Sequence, residues 1–242
     1  MDVIGVIPAR YGSTRFEGKV LADIHGKPML QWVWEAAKKA KILDEVIIAC
    51  DDERVENAAR SFGARVVLTS KEYQSGSDRL CEVVNPLEVK VVVNIQADEP
   101  LLEPVMLENI ARPLLDDASL NMTTLMKRID DPSEIKDPNV VKVVTDRQGL
   151  ALYFSRLAIP YPRDKAQEPV YYKHIGLYGY SKDFLFIFKN LPESRLEKIE
   201  KLEQLRVLEA GFRIKVIETK ISTIGVDTPE DLEKVKKIIA AR

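Results

Sequence analysis

Cysteine is nearly absent. The 242 residues hold only Cys50 and Cys81, with no CxxC pair. That excludes a disulfide framework and a cysteine-built zinc site. No apolar run is long enough to span a bilayer. The chain opens on a strand-like run, not on a charged segment with an apolar leader, so a cytoplasmic protein is expected. Basic charge is not in excess: the formal net charge is -2, whereas a nucleic-acid scaffold is usually basic. Internal repeats, low-complexity tracts and long linkers are missing. Two phosphate-binding signatures are missing as well. No Gly-x-Gly-x-x-Gly occurs, which argues against a dinucleotide dehydrogenase. Gly12 and Gly18 have five residues between them where a P-loop has four, and Val20 stands where it needs Ser or Thr.

What is present is an apolar fraction of 45%, enough for a full core, and 31% charged residues. The charged share exceeds the usual value of about 25% and fits surface ion pairs. The length suits one α/β domain, residues 1–242, in which roughly 121–220 include an extension.

The stretch from Val3 to Lys19 organises the rest. Val3 to Ile7 is a short β-branched run ended by Pro8, as expected of a buried parallel strand. The loop behind it carries Arg10, Ser13, Arg15, Gly18 and Lys19. Arg presents a planar fork to phosphate oxygens and Lys a point charge. Glycines let the backbone approach a ligand closely. In an open α/β sheet such a loop lies off the carboxyl ends of the strands, where ligands bind. The pattern points to a triphosphate.

Further along, a helix is predicted from Gly26-Lys27-Pro28 to about Ala40, with Trp32 and Trp34 as packing residues. A strand follows over Glu45–Cys50, a helix to Phe62, and a strand over Arg65–Leu68. Three strand–helix steps in about seventy residues predict a doubly wound, mostly parallel sheet with helices on both faces. Gln74 to Arg79 leads into a helix through Val84, with Ser77 as its N-cap. Val91 to Ile95 reads as a central strand. It ends at Asp98 and Glu99, two carboxylates beside the cationic loop that suggest Mg²⁺. From Asn121 to Tyr180 strands dominate, which predicts a smaller mixed-sheet extension with an antiparallel edge, and its aromatics suit a dimer contact. One helix is predicted over Arg195–Ala210, with Leu196, Ile199, Leu202 and Leu205 inward. The last helix starts at Thr228 as N-cap with Pro229 behind it.

Several fragments, in this order and spacing, resemble one family: Ile7-Pro8-Ala9-Arg10-Tyr11, Gln74-Ser75-Gly76-Ser77-Asp78-Arg79, Asn94-Ile95-Gln96-Ala97-Asp98-Glu99-Pro100, His174-Ile175-Gly176-Leu177-Tyr178, Leu202-Glu203-Gln204 and Gly225-Val226-Asp227-Thr228-Pro229. The family is that of the CMP-Kdo synthetases (3-deoxy-manno-octulosonate cytidylyltransferases), and the match runs over nearly the whole chain. The resemblance implies a nucleotide-diphospho-sugar transferase-like fold. It also implies a homodimer that uses CTP, Mg²⁺ and Kdo, an acidic eight-carbon sugar destined for lipopolysaccharide. Arg10, Ser13, Arg15 and Lys19 would serve the triphosphate, and Ser75, Gly76 and Arg79 the cytidine. Asp98 and Asp227 would hold metal. Gln96, Arg163, His174, Tyr178, Glu203 and Gln204 would line the sugar site. Lys19, Arg15, Asp98 and Asp227 would form the catalytic group. Two departures stand out: Ala97 replaces the usual Gly before the metal Asp, and Phe16-Glu17-Gly18-Lys19-Val20 replaces Leu-Pro-Gly-Lys-Pro. A related transferase for another 2-keto acid sugar, and a non-catalytic nucleotide-binding regulator, are the competing readings.

Overall fold

A computed structural model gives the structure of the protein and describes residues 1–12, 16–73, 76–164 and 169–241. The first strand, β1 (Val3–Ala9), alternates its side chains between two cores. Val3 and Ile7 enter one apolar cluster, Ile4 and Val6 the other. This period of two with both faces buried is the mark of a strand inside a covered sheet. After the small ribbon of β2 (Asp23–Ile24) and β3 (Lys27–Pro28), helix α1 (Met29–Lys38) leads to β4 (Glu45–Cys50), α2 (Glu53–Ser61) and β5 (Arg65–Leu68). Then come α3 (Gly76–Val84), β6 (Val91–Asn94) and α4 (Pro104–Asp116). β1 pairs in parallel with β4 and β6, and β4 with β5. Helices α1, α2 and α4 cover one face and α3 the other. The expected doubly wound half is present.

The second half contains β7 (Met122–Arg128), α5 (Pro132–Lys136), β8 (Lys142–Thr145), β9 (Ala151–Ser155), β10 (Tyr172–Ser181), α6 (Lys182–Asn190), α7 (Arg195–Glu200), α8 (Leu205–Glu209), β11 (Ile214–Glu218) and α9 (Pro229–Ala240). The main sheet runs β11-β7-β10-β6-β1-β4-β5, and β8 and β9 branch from β10. The antiparallel strand is therefore not an edge. β10 lies inside the sheet, antiparallel to both β6 and β7. A register shift between Ile175 and Tyr178 bends it, and its start reaches β8 through Lys173. Gly179 lets it pass under α4: a Cβ there would meet Ile110 Cγ2 at 2.6 Å.

Two expectations fail in detail. The helix predicted over Arg195–Ala210 is two short helices. Lys201 takes a left-handed turn (φ 53°) and ends α7, Ile199 faces out at 69% exposure, and Leu202 and Leu205 stay buried. The cause is polar. Glu197, not Ile199, turns inward and forks onto Arg206 at 2.5 and 2.8 Å. Ser77 is not an N-cap either, because α3 already starts at Gly76. Helix α6 escaped the sequence reading, although Ser181 caps it by accepting from the Phe184 amide. The Thr228 cap holds: its hydroxyl accepts from the Asp231 amide, with Pro229 at the first helical position.

Candidate active site

The ends of β1 and β6 and the segment before α9 meet at Lys19. Gly18, at φ 66°, turns the chain into a short 3₁₀ turn, Lys19–Leu21. Val20 is buried there, so the Lys19 backbone is anchored in the core. The ammonium donates to Asp98 Oδ2 at 2.5 Å, Asp227 Oδ1 at 3.0 Å and the Val226 carbonyl at 3.0 Å. The Val226 amide in turn donates to the Asp98 carbonyl at 2.9 Å. Two carboxylates 129 positions apart in sequence are thus fixed on one cation. Burial alone would lower the Lys19 pKa, but Asp98 and Asp227 outweigh it and raise the value. Because Thr228 caps α9, Asp227 is released from that task.

A cavity of about 420 Å³ opens beside this cluster, lined by Pro8, Arg10, Gly12, Lys19, Val20, Gly76, Gln96, Ala97, Asp98 and Asp227. Arg10, Lys19, Gly76, Gln96, Asp98 and Asp227 thus come together, and Gln96, expected on the sugar side, shares this cavity with the residues expected at the phosphates and metal. Burial and the neighbouring Arg79 both lower the Arg10 pKa, offset only in part by Asp51 and Asp78. An anion in the cavity would relieve that strain on the guanidinium.

Arg79 itself is fully buried and does not line the cavity. Its guanidinium donates to Asp51 at 2.7 Å, to Thr69 Oγ1 at 2.6 Å and to the Ser70 carbonyl at 3.2 Å, tying the ends of β4 and β5 to α3. Asp51, just past the end of β4, is its carboxylate partner. Ser13, Arg15 and Ser75 lie outside the described residues.

A second wall continues from Gln96, whose side-chain amide donates to the Gly176 carbonyl at 3.3 Å. His174, Glu99, Lys173, Gly176, Thr223 and Gly225 belong to a neighbouring cavity of about 440 Å³. Glu99 therefore faces this second cavity rather than Lys19. Burial, then Asp98, push its carboxyl up to about 7. His174 packs against Phe154 and Tyr178, with ring centroids 4.9 and 5.5 Å away. Burial pushes its pKa down to about 3, so the ring is neutral. The Thr124 hydroxyl lies 2.9 Å from His174 Nε2, 3.1 Å from the Ile175 carbonyl and 2.9 Å from the Leu177 carbonyl. A hydroxyl has one proton. With that proton on a carbonyl, the imidazole Nε2–H donates to Thr124.

Tyr178 is held well above the usual phenol value by burial and then by Glu203. The break between α7 and α8 puts Glu203 there, hydrogen-bonded to Ser77, and burial raises its carboxyl. Gln204 is buried, with an amide nitrogen that has no hydrogen-bond partner among the described residues. Arg163 is exposed on the segment after β9 and joins neither wall.

Among the described residues no group of three His, Cys, Asp or Glu side chains could hold a metal. Two carboxylates, Asp98 and Asp227, do converge. That set fits Mg²⁺ arriving with a nucleotide, because Mg²⁺ often takes only one or two carboxylates plus substrate phosphates and waters. No helix among the described residues is long and apolar enough to cross a membrane.

The family model described as "Cytidylyltransferase" matches residues 4–221. The chain belongs to the cytidylyltransferase family. It is 54% identical to 3-deoxy-manno-octulosonate cytidylyltransferase from Solibacter usitatus over 99% of this chain and 95% of that protein. A solved structure of CMP:2-keto-3-deoxy-manno-octonic acid synthetase complexed with CTP superposes with a TM-score of 0.95 at 44% identity, covering 100% of this chain and 99% of that one. The 4-diphosphocytidyl-2C-methyl-D-erythritol synthase from Anaerococcus prevotii shares the fold alone, with a TM-score of 0.65 at 12% identity over 99% of this chain and 98% of that one.

Proposed function

We propose that the protein transfers CMP from CTP to Kdo, releasing pyrophosphate and supplying CMP-Kdo for lipopolysaccharide, as a cytoplasmic homodimer. One observation carries the reading most: Lys19, Asp98 and Asp227 are bound together in the wall of a cavity that Arg10 also lines. The anomeric hydroxyl oxygen of the sugar forms a bond to the α-phosphorus of CTP, and the bond from that phosphorus to pyrophosphate breaks. No protein nucleophile is needed, since phosphoryl transfer depends chiefly on positioning and on charge neutralisation. Arg10, Arg15 and Lys19 offset phosphate charge. Gly76 brings backbone close to the nucleoside, with Ser13 and Ser75 as further nucleotide contacts. Mg²⁺, held by Asp98 and Asp227, supplies further neutralisation at the phosphates when bound.

Gln96, His174, Tyr178, Glu203 and Gln204 read the sugar, and Arg163 is an additional candidate. A neutral His174 offers hydrogen bonds rather than charge, which suits sugar hydroxyls. Arg79 acts from behind, by fixing the end of β4. The homodimer reading is supported by exposed apolar side chains on the extension, Leu152, Leu157 and Tyr161 at 61, 76 and 85% exposure.

The test is pyrophosphate release across CTP, UTP and ATP with Kdo and other 2-keto acid sugars. CTP with Kdo is expected to give the highest kcat/KM, because a site that hydrogen-bonds one base edge rejects analogues leaving it unpaired. Comparable values for UTP, or for a different sugar, contradict the assignment. Light scattering of the purified protein checks the dimer.

A further inference from the structure

Arg54 lies outside both cavities, on the first turn of α2. Asp52 caps α2 by accepting from the Arg54 amide at 2.9 Å. The same carboxylate takes the Arg54 guanidinium in a fork, at 2.8 Å on each oxygen. A forked pair fixes the plane of the guanidinium as well as its position. That plane lies over the Tyr11 ring, with the guanidinium carbon 3.4 Å from the ring centroid.

Tyr11 and Gly18 close the neck of the phosphate loop. The Gly18 amide donates to the Tyr11 carbonyl at 2.9 Å. The Tyr11 ring also covers Gly18 so closely that a Cβ there would meet ring carbon Cζ at 3.1 Å. Gly18 begins the turn that carries Lys19. The chain of contact is therefore Asp52, Arg54, Tyr11, Gly18, Lys19. Arg54 also feels the charge of Glu17, the exposed acid within this loop.

We propose that Arg54 is a positioning residue for the nucleotide: held by Asp52, it presses the Tyr11 ring onto Gly18 and so fixes where Lys19 presents its ammonium. The proposal rests on the reading of Lys19 as a triphosphate contact. The Arg54 side chain is 59% exposed, so its removal leaves the core intact. Small displacements of a binding group are costly even when nothing is lost from the site itself.

The experiment measures CTP affinity by calorimetry, KM for each substrate, and Tm in Arg54→Ala, Asp52→Asn, Tyr11→Phe and Lys19→Met. Asn caps a helix as well as Asp does, so Asp52→Asn keeps α2 while loosening the fork. Arg54→Ala is expected to weaken CTP about tenfold, and Asp52→Asn by somewhat less, with the sugar KM unchanged within about twofold. Tyr11→Phe, which keeps the ring, should bind CTP like the parent. If Arg54→Ala and Asp52→Asn both bind CTP normally while Lys19→Met does not, the clamp is wrong and the site reading stands. If Lys19→Met also binds normally, the site reading itself falls. Equal loss for both substrates with a lowered Tm would show a merely structural role and overturn the proposal.

Discussion

The two walls of the site handle charge in opposite ways. Around Lys19, charge is kept and paired: one ammonium serves two carboxylates and a carbonyl. Around His174, burial keeps the imidazole neutral and holds Tyr178 protonated, and the charges of Lys173 and Glu134 in the same cavity pair with each other. The first wall suits phosphates and a metal ion, whose charges need partners. The second suits hydroxyl groups, which need fixed hydrogen-bonding atoms without the cost of a buried ion. The walls also differ in origin. The charged one comes from loops at strand ends, and the neutral one from β10 and the break between α7 and α8.

The charged wall gives the largest expected effects. Asp98→Asn and Asp227→Asn should each lower kcat by about a hundredfold or more, the scale of removing one preorganised charge-stabilising group. Tm should hardly move, because neither side chain is in the core and Thr228 already caps α9. A variant that stays active but melts early would show that these carboxylates serve the fold instead.

The neutral wall should respond through stability first. Thr124→Val keeps shape but removes the hydroxyl shared by His174 and two carbonyls. Leaving buried partners unsatisfied should cost about 1–3 kcal/mol, measured by urea unfolding. A neutral result would mean that water fills the gap.

The acid limb of stability comes next. The His174 pKa falls from 6.5 to about 3 in the fold. Below the ordinary value the unfolded chain takes up a proton that the folded chain refuses. Stability should therefore fall as pH drops from about 6.5 toward 3, by at most about 1.4 kcal/mol per pH unit. His174→Gln should flatten this limb; an unchanged slope would show that the imidazole is charged in the fold.

The smallest effect concerns Glu203→Ala. It should raise the sugar KM about tenfold, the scale of one lost hydrogen bond, with the KM for CTP unchanged. A shift in the CTP value alone would move Glu203 to the other wall.

How far the sequence revealed this division depends on the physics of each part. The parallel half was legible because β1, β4 and β6 are apolar on both faces and bounded by caps and glycines. Lys19, Asp98 and Asp227 were legible as a constellation through the resemblance, not through spacing, since residues 129 positions apart meet only in the fold. The interior place of β10 was not legible, because strand order in a mixed sheet is set by pairing that no local pattern encodes. The split of α7 from α8 was hidden for a different reason. An apolar stripe of Leu196, Ile199, Leu202 and Leu205 reads as one helix, yet the Glu197–Arg206 pair overrides it. That Arg79 is buried and paired with Asp51 was not legible, because a buried, paired arginine and a ligand-facing one look alike in sequence.

The separation of the two walls is tested most directly by calorimetric titration of CTP into His174→Gln. The account predicts an affinity within about threefold of the parent, a change of roughly 0.6 kcal/mol, although sugar turnover is impaired. A CTP affinity weakened tenfold or more in that variant would contradict it, because the neutral wall would then be binding the nucleotide.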